Sequence, residues 1–158
     1  MNPDGASSDA RRARRHRDEG SASVEFLAVG VLLLVPLLYL VLCLGRVQAA
    51  TFAAEAGARE ASRVLATTAG QDLATRRAEA DVALALGDQG FPASPGSLVL
   101  DCEASPCRTP DAEIAATVSV DVPLPLVPGF LARAVPTSVH VDVRRVAVAD
   151  RFAAVGTP

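Results

Sequence analysis

From Phe26 to Gly45 the chain reads FLAVGVLLLVPLLYLVLCLG, a run without a charged residue that holds nine leucines and four valines. At a helical rise of about 1.5 Å per residue, a run of this length matches the ~30 Å hydrocarbon core of a bilayer. On a membrane-insertion scale, its leucines, valines and Phe26 together contribute roughly −4 to −8 kcal/mol. Pro36 stands mid-run. In water it would break a helix; in lipid the carbonyl it frees is satisfied locally, so a kinked transmembrane helix is expected. Little chain is left for anything else. A leader and span of about 45 residues leave a remainder whose core is marginal on burial alone, and which would gain from a disulfide, a partner or continued packing along the helix.

The flanks set an expected orientation. Arg11, Arg12, Arg14, Arg15 and Arg17 precede the run, whereas Arg46 alone follows it closely. Positive charge is retained in the cytoplasm, which places the N-terminus inside and the chain after Arg46 outside. Residues 1–20 form a polar, basic leader with almost nothing to bury, expected to be disordered and removed. All 15 basic residues of the chain are arginines, and the net charge is −3. The arginine cluster beside a span reads as a topogenic flank. Aromatic residues are too scarce to stack bases, and no nucleic-acid partner is expected.

Beyond the span, RVQAATFAAEAGAREASRVLATT (Arg46–Thr68) continues a helical pattern, rich in alanine. Val47, Thr51, Ala54, Ala58, Ala61 and Leu65 share one stripe, and Glu55–Arg59 is a favourable i,i+4 pair. One long helix is therefore expected, half in lipid and half outside, ending near Gly70. A second helix is expected over Asp72–Leu86, with Asp72 as N-cap and Gly87 closing it. FPASPG (Phe91–Gly96) is a turn. Three alternating runs then read as antiparallel strands: Ser97–Cys102, Ile114–Val122 and Ser138–Val143, the last extending to Val148 with a slip at Arg144–Arg145. Pro123–Pro136 is an apolar, proline-rich loop. The expected class is α+β: a long N-terminal helix, a short second helix and a small three-stranded antiparallel sheet. The expected segments are a leader (1–20), a transmembrane helix (21–45), an extracytoplasmic helical region (46–87) and a β-rich extracytoplasmic domain (88–158).

Function is most legible at the foot of the span, in Glu19-Gly20-Ser21-Ala22-Ser23-Val24-Glu25-Phe26. A secretory signal is cut after its apolar region. A cut between Gly20 and Ser21 would fall before it and leave the span in the mature protein. The new amine of Ser21 would lie about one helical turn from Glu25, a carboxylate that is costly near lipid unless matched. This pattern resembles the prepilin-peptidase recognition site of type IV pilin-like proteins. With the Leu/Val span and AGAREASR (Ala56–Arg63), residues 20–63 resemble the tight-adherence, TadE-like family in particular. The resemblance implies a minor pilin-like (pseudopilin) subunit of a surface pilus or related secretion system, acting in assembly and adhesion. Glu25 would then set register against neighbouring subunits. The implied partners are the lipid membrane, a prepilin-type peptidase, other pilin-like subunits and pilus assembly proteins. The stripe Ala50, Ala54, Gly57 and Ala61 is small enough for close approach of other helices.

Two alternatives stay open: an uncleaved single-pass anchor with an envelope-binding ectodomain, and an exported soluble protein cut after Ala49 at Val47-Gln48-Ala49. A lipoprotein site at Cys43 fails on the bulky Leu42. Cys102 and Cys107 are expected to form a disulfide, which in the loop-closure account is worth about 2 kcal/mol. A single C-x4-C lacks a second pair of ligands for a metal. His140 and Asp142 read as a solvated pair, and His16 lies in the leader. No catalytic set, cofactor motif or metal cluster emerges, so an enzyme is not expected.

Overall fold

A computed structural model of the chain describes residues 5–125 and 136–151, with side chains from residue 22 onward. It has the α+β architecture that the sequence implies. Two helices, α1 (Gly5–Thr67) and α2 (Gln71–Asp88), precede three strands, β1 (Leu98–Cys102), β2 (Glu113–Pro123) and β3 (Ser138–Val148). The chain divides into two compact units, Met1–Leu42 and Cys43–Pro158.

The first unit is helix. α1 includes Pro36 and reaches back to Gly5, through the leader that composition alone left without regular structure. Alanine and arginine are good helix formers, and they supply much of residues 10–17. From Ala22 onward α1 is long and apolar enough to cross a membrane, and none of its most apolar window is buried within the protein.

The second unit has one core that joins the regions 46–87 and 88–158. Ala50, Ala54, Ala58, Ala61 and Leu65 of α1, Ala74, Ala78, Val82 and Leu86 of α2, and Ile114, Ala116, Val118, Val120 and Val122 of β2 belong to a single buried cluster. The stripe proposed for docking other helices is thus consumed internally: Ala50, Ala54 and Ala61 are 0 % exposed. At Gly57 a Cβ would lie 3.4 Å from Val82 Cγ2 and 3.5 Å from its Cα, at ordinary contact distance, so α1 and α2 approach here with no room for a side chain larger than a methyl.

α2 departs from expectation at both ends. Gly70 is its N-cap and Asp72 lies inside the first turn, with no side-chain cap bond. At the other end Gly87 remains helical, and Gly90 takes the left-handed conformation at φ 74°. The Phe91 N–H donates to the Leu86 carbonyl (3.0 Å) and the Gly90 N–H to that of Gly87 (2.9 Å). These are the paired bonds of a Schellman cap. The accompanying apolar contact is between Phe91 and Leu86, 1 % and 0 % exposed, so the residue after the glycine is a core anchor.

The sheet order is β1-β2-β3, antiparallel throughout. Central β2 pairs with β1 over Leu98↔Val118 to Cys102↔Ile114, and with β3 over Glu113↔Val148 to Pro123↔Ser138. The β3 ladder runs through Arg144 and Arg145 without the expected slip. Arg145 instead turns to the inner face opposite Ala116, the short side chain of that row, and meets Glu55 of α1 at 2.9 Å. Glu55 thereby pairs across the fold to β3. The bond from Leu124 N–H to the Thr137 carbonyl (2.9 Å) closes the far end of the hairpin. Most of the apolar loop expected over Pro123–Pro136 lies outside the described residues.

Candidate functional site at the foot of the apolar helix

Gly20, Ser21 and Glu25 all fall within α1, and the helical backbone is continuous across the Gly20–Ser21 bond. Ser21 and Glu25 are four residues apart, which on a helix is one face and one turn. Glu25 is exposed. The positions therefore keep the spacing that the sequence pattern requires, in helical rather than extended backbone.

The run that follows is unusual in what covers it. Its leucines, valines and Phe26 are all exposed, from 44 % at Leu42 to 79 % at Phe26. Large apolar side chains point in every direction around this stretch of helix, and among the described residues none of its most apolar window is buried. Such a surface is costly to leave in water, because exposed apolar area costs about 25 cal/mol per Å².

In the second unit, Cys102 and Cys107 are joined by a disulfide with a Cα–Cα separation of 5.1 Å. The bond closes the loop at the end of β1, and Cys107 is buried against the core. Cys43 is a free thiol, partly buried.

The outer face of the sheet carries a polar cluster that the sequence showed only in part. His140 Nδ1 lies 2.8 Å from Asp121 and its Nε2 3.1 Å from Asp142. Asp142 was visible as a neighbour two residues on. Asp121 was not, because its place opposite His140 depends on a register set across the β2–β3 connection. The Asp121 hydrogen bond, followed by the charge of Asp142, raises the His140 pKa above the ordinary imidazole value. Ser119 stands opposite Asp142 on the same face. With both ring nitrogens directed at carboxylates, the imidazole has none aimed at that hydroxyl, so this is not a nucleophile with its base. Among the described residues no group of three or more His, Cys, Asp or Glu side chains is placed to hold a metal ion.

One further contact falls at the start of the second unit. The Arg46 guanidinium stands 4.7 Å from the centroid of the Phe91 ring. In the sequence Arg46 reads only as a flanking charge. The signal it lacked was the burial of Phe91, which holds that ring in place.

Comparison with protein-family models, with characterised proteins and with solved structures found no match to this chain.

Proposed function

We propose that the protein is a minor pilin-like subunit of a tight-adherence type pilus or a related secretion system. Residues 26–45 would cross the cell membrane with the N-terminus cytoplasmic and the second unit outside, and a prepilin-type peptidase would cut after Gly20. The observation that carries the reading is the uniformly exposed apolar run on a helix whose other half is built into a folded head. A helix of this kind needs lipid first and, after processing, other apolar helices.

The foot of the run supports the same reading. A peptidase that takes its substrate extended must unwind a turn of α1. Gly20 is the residue where this costs least, since glycine lowers helix stability by about 1 kcal/mol relative to alanine. Processing would then leave the Ser21 amine one turn from Glu25, a charge pair at the membrane surface within one chain or between neighbours.

The continuity of α1 through Gly20–Ser21 favours one other reading, an uncleaved single-pass anchor. Export by cleavage after Ala49 is disfavoured by the core. That bond lies inside α1, Ala50 is 0 % exposed, and the cut would remove Arg46 and Val47 from the head. The deciding measurement is the mature N-terminus, by mass spectrometry of protein purified from membranes. A chain beginning at Ser21, with full-length precursor accumulating in Gly20→Leu, is the expected result. An intact leader in the wild type would leave the anchor reading alone, and a start at Ala50 in the medium would leave export.

A further inference from the structure

We infer that the base of the second unit is a lipid-facing surface in its own right. On this assignment Arg46 takes a lipid phosphate and Phe52 lies in the headgroup layer of the outer leaflet. The inference rests on the reading of residues 26–45 as a membrane span; it does not depend on cleavage or on a pilus.

Arg46 follows the last residue of the uncharged run, and so stands where hydrocarbon gives way to headgroups. A positive charge on this side runs against the usual bias and needs a use. Among the described residues no carboxylate pairs with it; the ion pairs of the head are made by Arg63, His140, Arg144, Arg145 and Arg151. Its guanidinium is instead laid over Phe91, and Gly90 offers open backbone beside it, a Cβ there falling 4.0 Å from Arg46 Nη1. A cation held against an aromatic ring keeps its N–H edge available, in the fork geometry that suits a phosphate. Phe91 is itself fixed by the Schellman cap of α2. The charge is therefore pre-positioned by the folded head, whereas an ordinary flanking arginine would sample many rotamers.

Phe52 supplies the second, independent observation. It is 69 % exposed in the extramembrane half of α1, where the neighbouring apolar positions Ala50, Ala53 and Ala54 are buried. Helix rise puts its Cα about 9 Å beyond that of Arg46. Side chains on a helix lean toward the N-terminus, which brings the ring back toward the span. The interfacial layer outside the hydrocarbon is about 5–7 Å deep on each side, and it is the zone where aromatic side chains gather. An exposed phenylalanine at this height suits that layer, and among the described residues nothing covers it.

The sequence contains no Trp, so each single Trp substitution is a clean fluorescent reporter. The full chain would be reconstituted in phosphatidylcholine/phosphatidylglycerol vesicles carrying bromine either high on the acyl chain or near its end. Phe52→Trp is expected to show blue-shifted emission, quenched more by the shallow label than by the deep one. Val99→Trp, on the outer face of the sheet, should keep water-exposed emission. Leu33→Trp, within the span, should be quenched by the deep label. Arg46→Gln in the Phe52→Trp background should weaken the shallow quenching, and Arg46→Lys should retain more of it. If Leu33→Trp is quenched and Phe52→Trp behaves like Val99→Trp, the lipid surface is overturned and the span stands. If Leu33→Trp escapes the deep label, both fall. Blue-shifted but unquenched emission from Phe52→Trp would assign the ring to a protein contact and overturn the inference. Quenching that ignores Arg46→Gln would remove the role of that arginine.

Discussion

The two halves of α1 make opposite use of one backbone. Between Phe26 and Leu42 the leucines, the valines and Phe26 are exposed. Between Ala50 and Leu65 the buried positions are mostly alanine and glycine, recurring at three- and four-residue steps on the face turned to α2 and the sheet. The first half is apolar all round, and among the described residues none of its large aliphatic side chains is buried. The second half is amphipathic, and its partners belong to the same chain. The first half carries no charge and the second carries several, and they differ as well in whether apolar surface is concentrated on one face, because only a face can be covered by two neighbours in a small fold.

The largest test of this contrast is to charge each half. Leu33→Arg together with Leu37→Arg should oppose insertion by roughly 5–7 kcal/mol, comparable to the whole favourable term of the run. Alkaline extraction of membranes should find the wild type in the pellet and the double variant largely in the supernatant. Ala56→Arg, on the exposed face of the second half, should leave both extraction and head stability unchanged. If the double variant still pellets, the anchor lies elsewhere in the chain.

Truncating the head's aromatic anchor comes next. Phe91→Ala should cost about 3–5 kcal/mol, since it empties a buried site and deprives the α2 cap of its apolar contact. The expected reading is a large fall in the melting temperature of the head with membrane extraction unaffected. Phe26→Ala, at the most exposed large residue of the run, should leave that melting temperature where it is.

A smaller effect is expected from glycine. Gly57→Leu forces a side chain against Val82 and should destabilise the head by about 1–3 kcal/mol. Gly57→Ala places its Cβ at 3.4 Å from Val82 Cγ2, an ordinary contact, and gains helix propensity, so it should be close to neutral. Gly30→Leu, with nothing within 4 Å of its Cβ position, should be silent in the same thermal assay. Equal effects at Gly30 and Gly57 would mean that α1 and α2 are not in contact at Gly57.

Much of this fold was readable from periodicity. The strands, the end of α1 and the inner face of β2 follow from patterns of two and of three to four residues. The misreadings share one cause, a partner distant in sequence. Consecutive Arg144 and Arg145 look like a register slip, because two charges in a row cannot both face water on a strand. Placing Arg145 inward requires knowing that Glu55 waits there and that Ala116 leaves room. Gly87 and Gly90 are equally good helix stops on paper, and the burial of Phe91 decides between them. The stripe Ala50, Ala54, Gly57 and Ala61 announces close packing but cannot say with what; the shared core claims it, with α2 against Gly57. At the foot of the apolar run the sequence shows a spacing, Gly20 to Glu25, and the structure adds that the spacing is helical. Neither contains the peptidase.

The mildest test concerns the outer sheet face, where the head again satisfies its own groups. His140 bridges Asp121 on β2 and Asp142 on its own strand, and its pKa is raised, first by the Asp121 hydrogen bond and next by the Asp142 charge. The unfolded chain lacks this bridge, so the native state binds the proton more tightly. The stabilisation is therefore fully present below about pH 6.5, the ordinary imidazole value, and is lost as pH rises through the raised native value. The cluster is exposed, so the change in melting temperature should be small and should shrink further in salt. An NMR titration of the imidazole is the sharper measurement. Asp121→Ala should lower the His140 pKa more than Asp142→Ala, because it removes the leading hydrogen bond as well as a charge. Equal shifts from the two variants would mean that the imidazole responds to the summed charge of the face and is not held in one bridged geometry. The head's internal pairing would then be looser on this face than in its core.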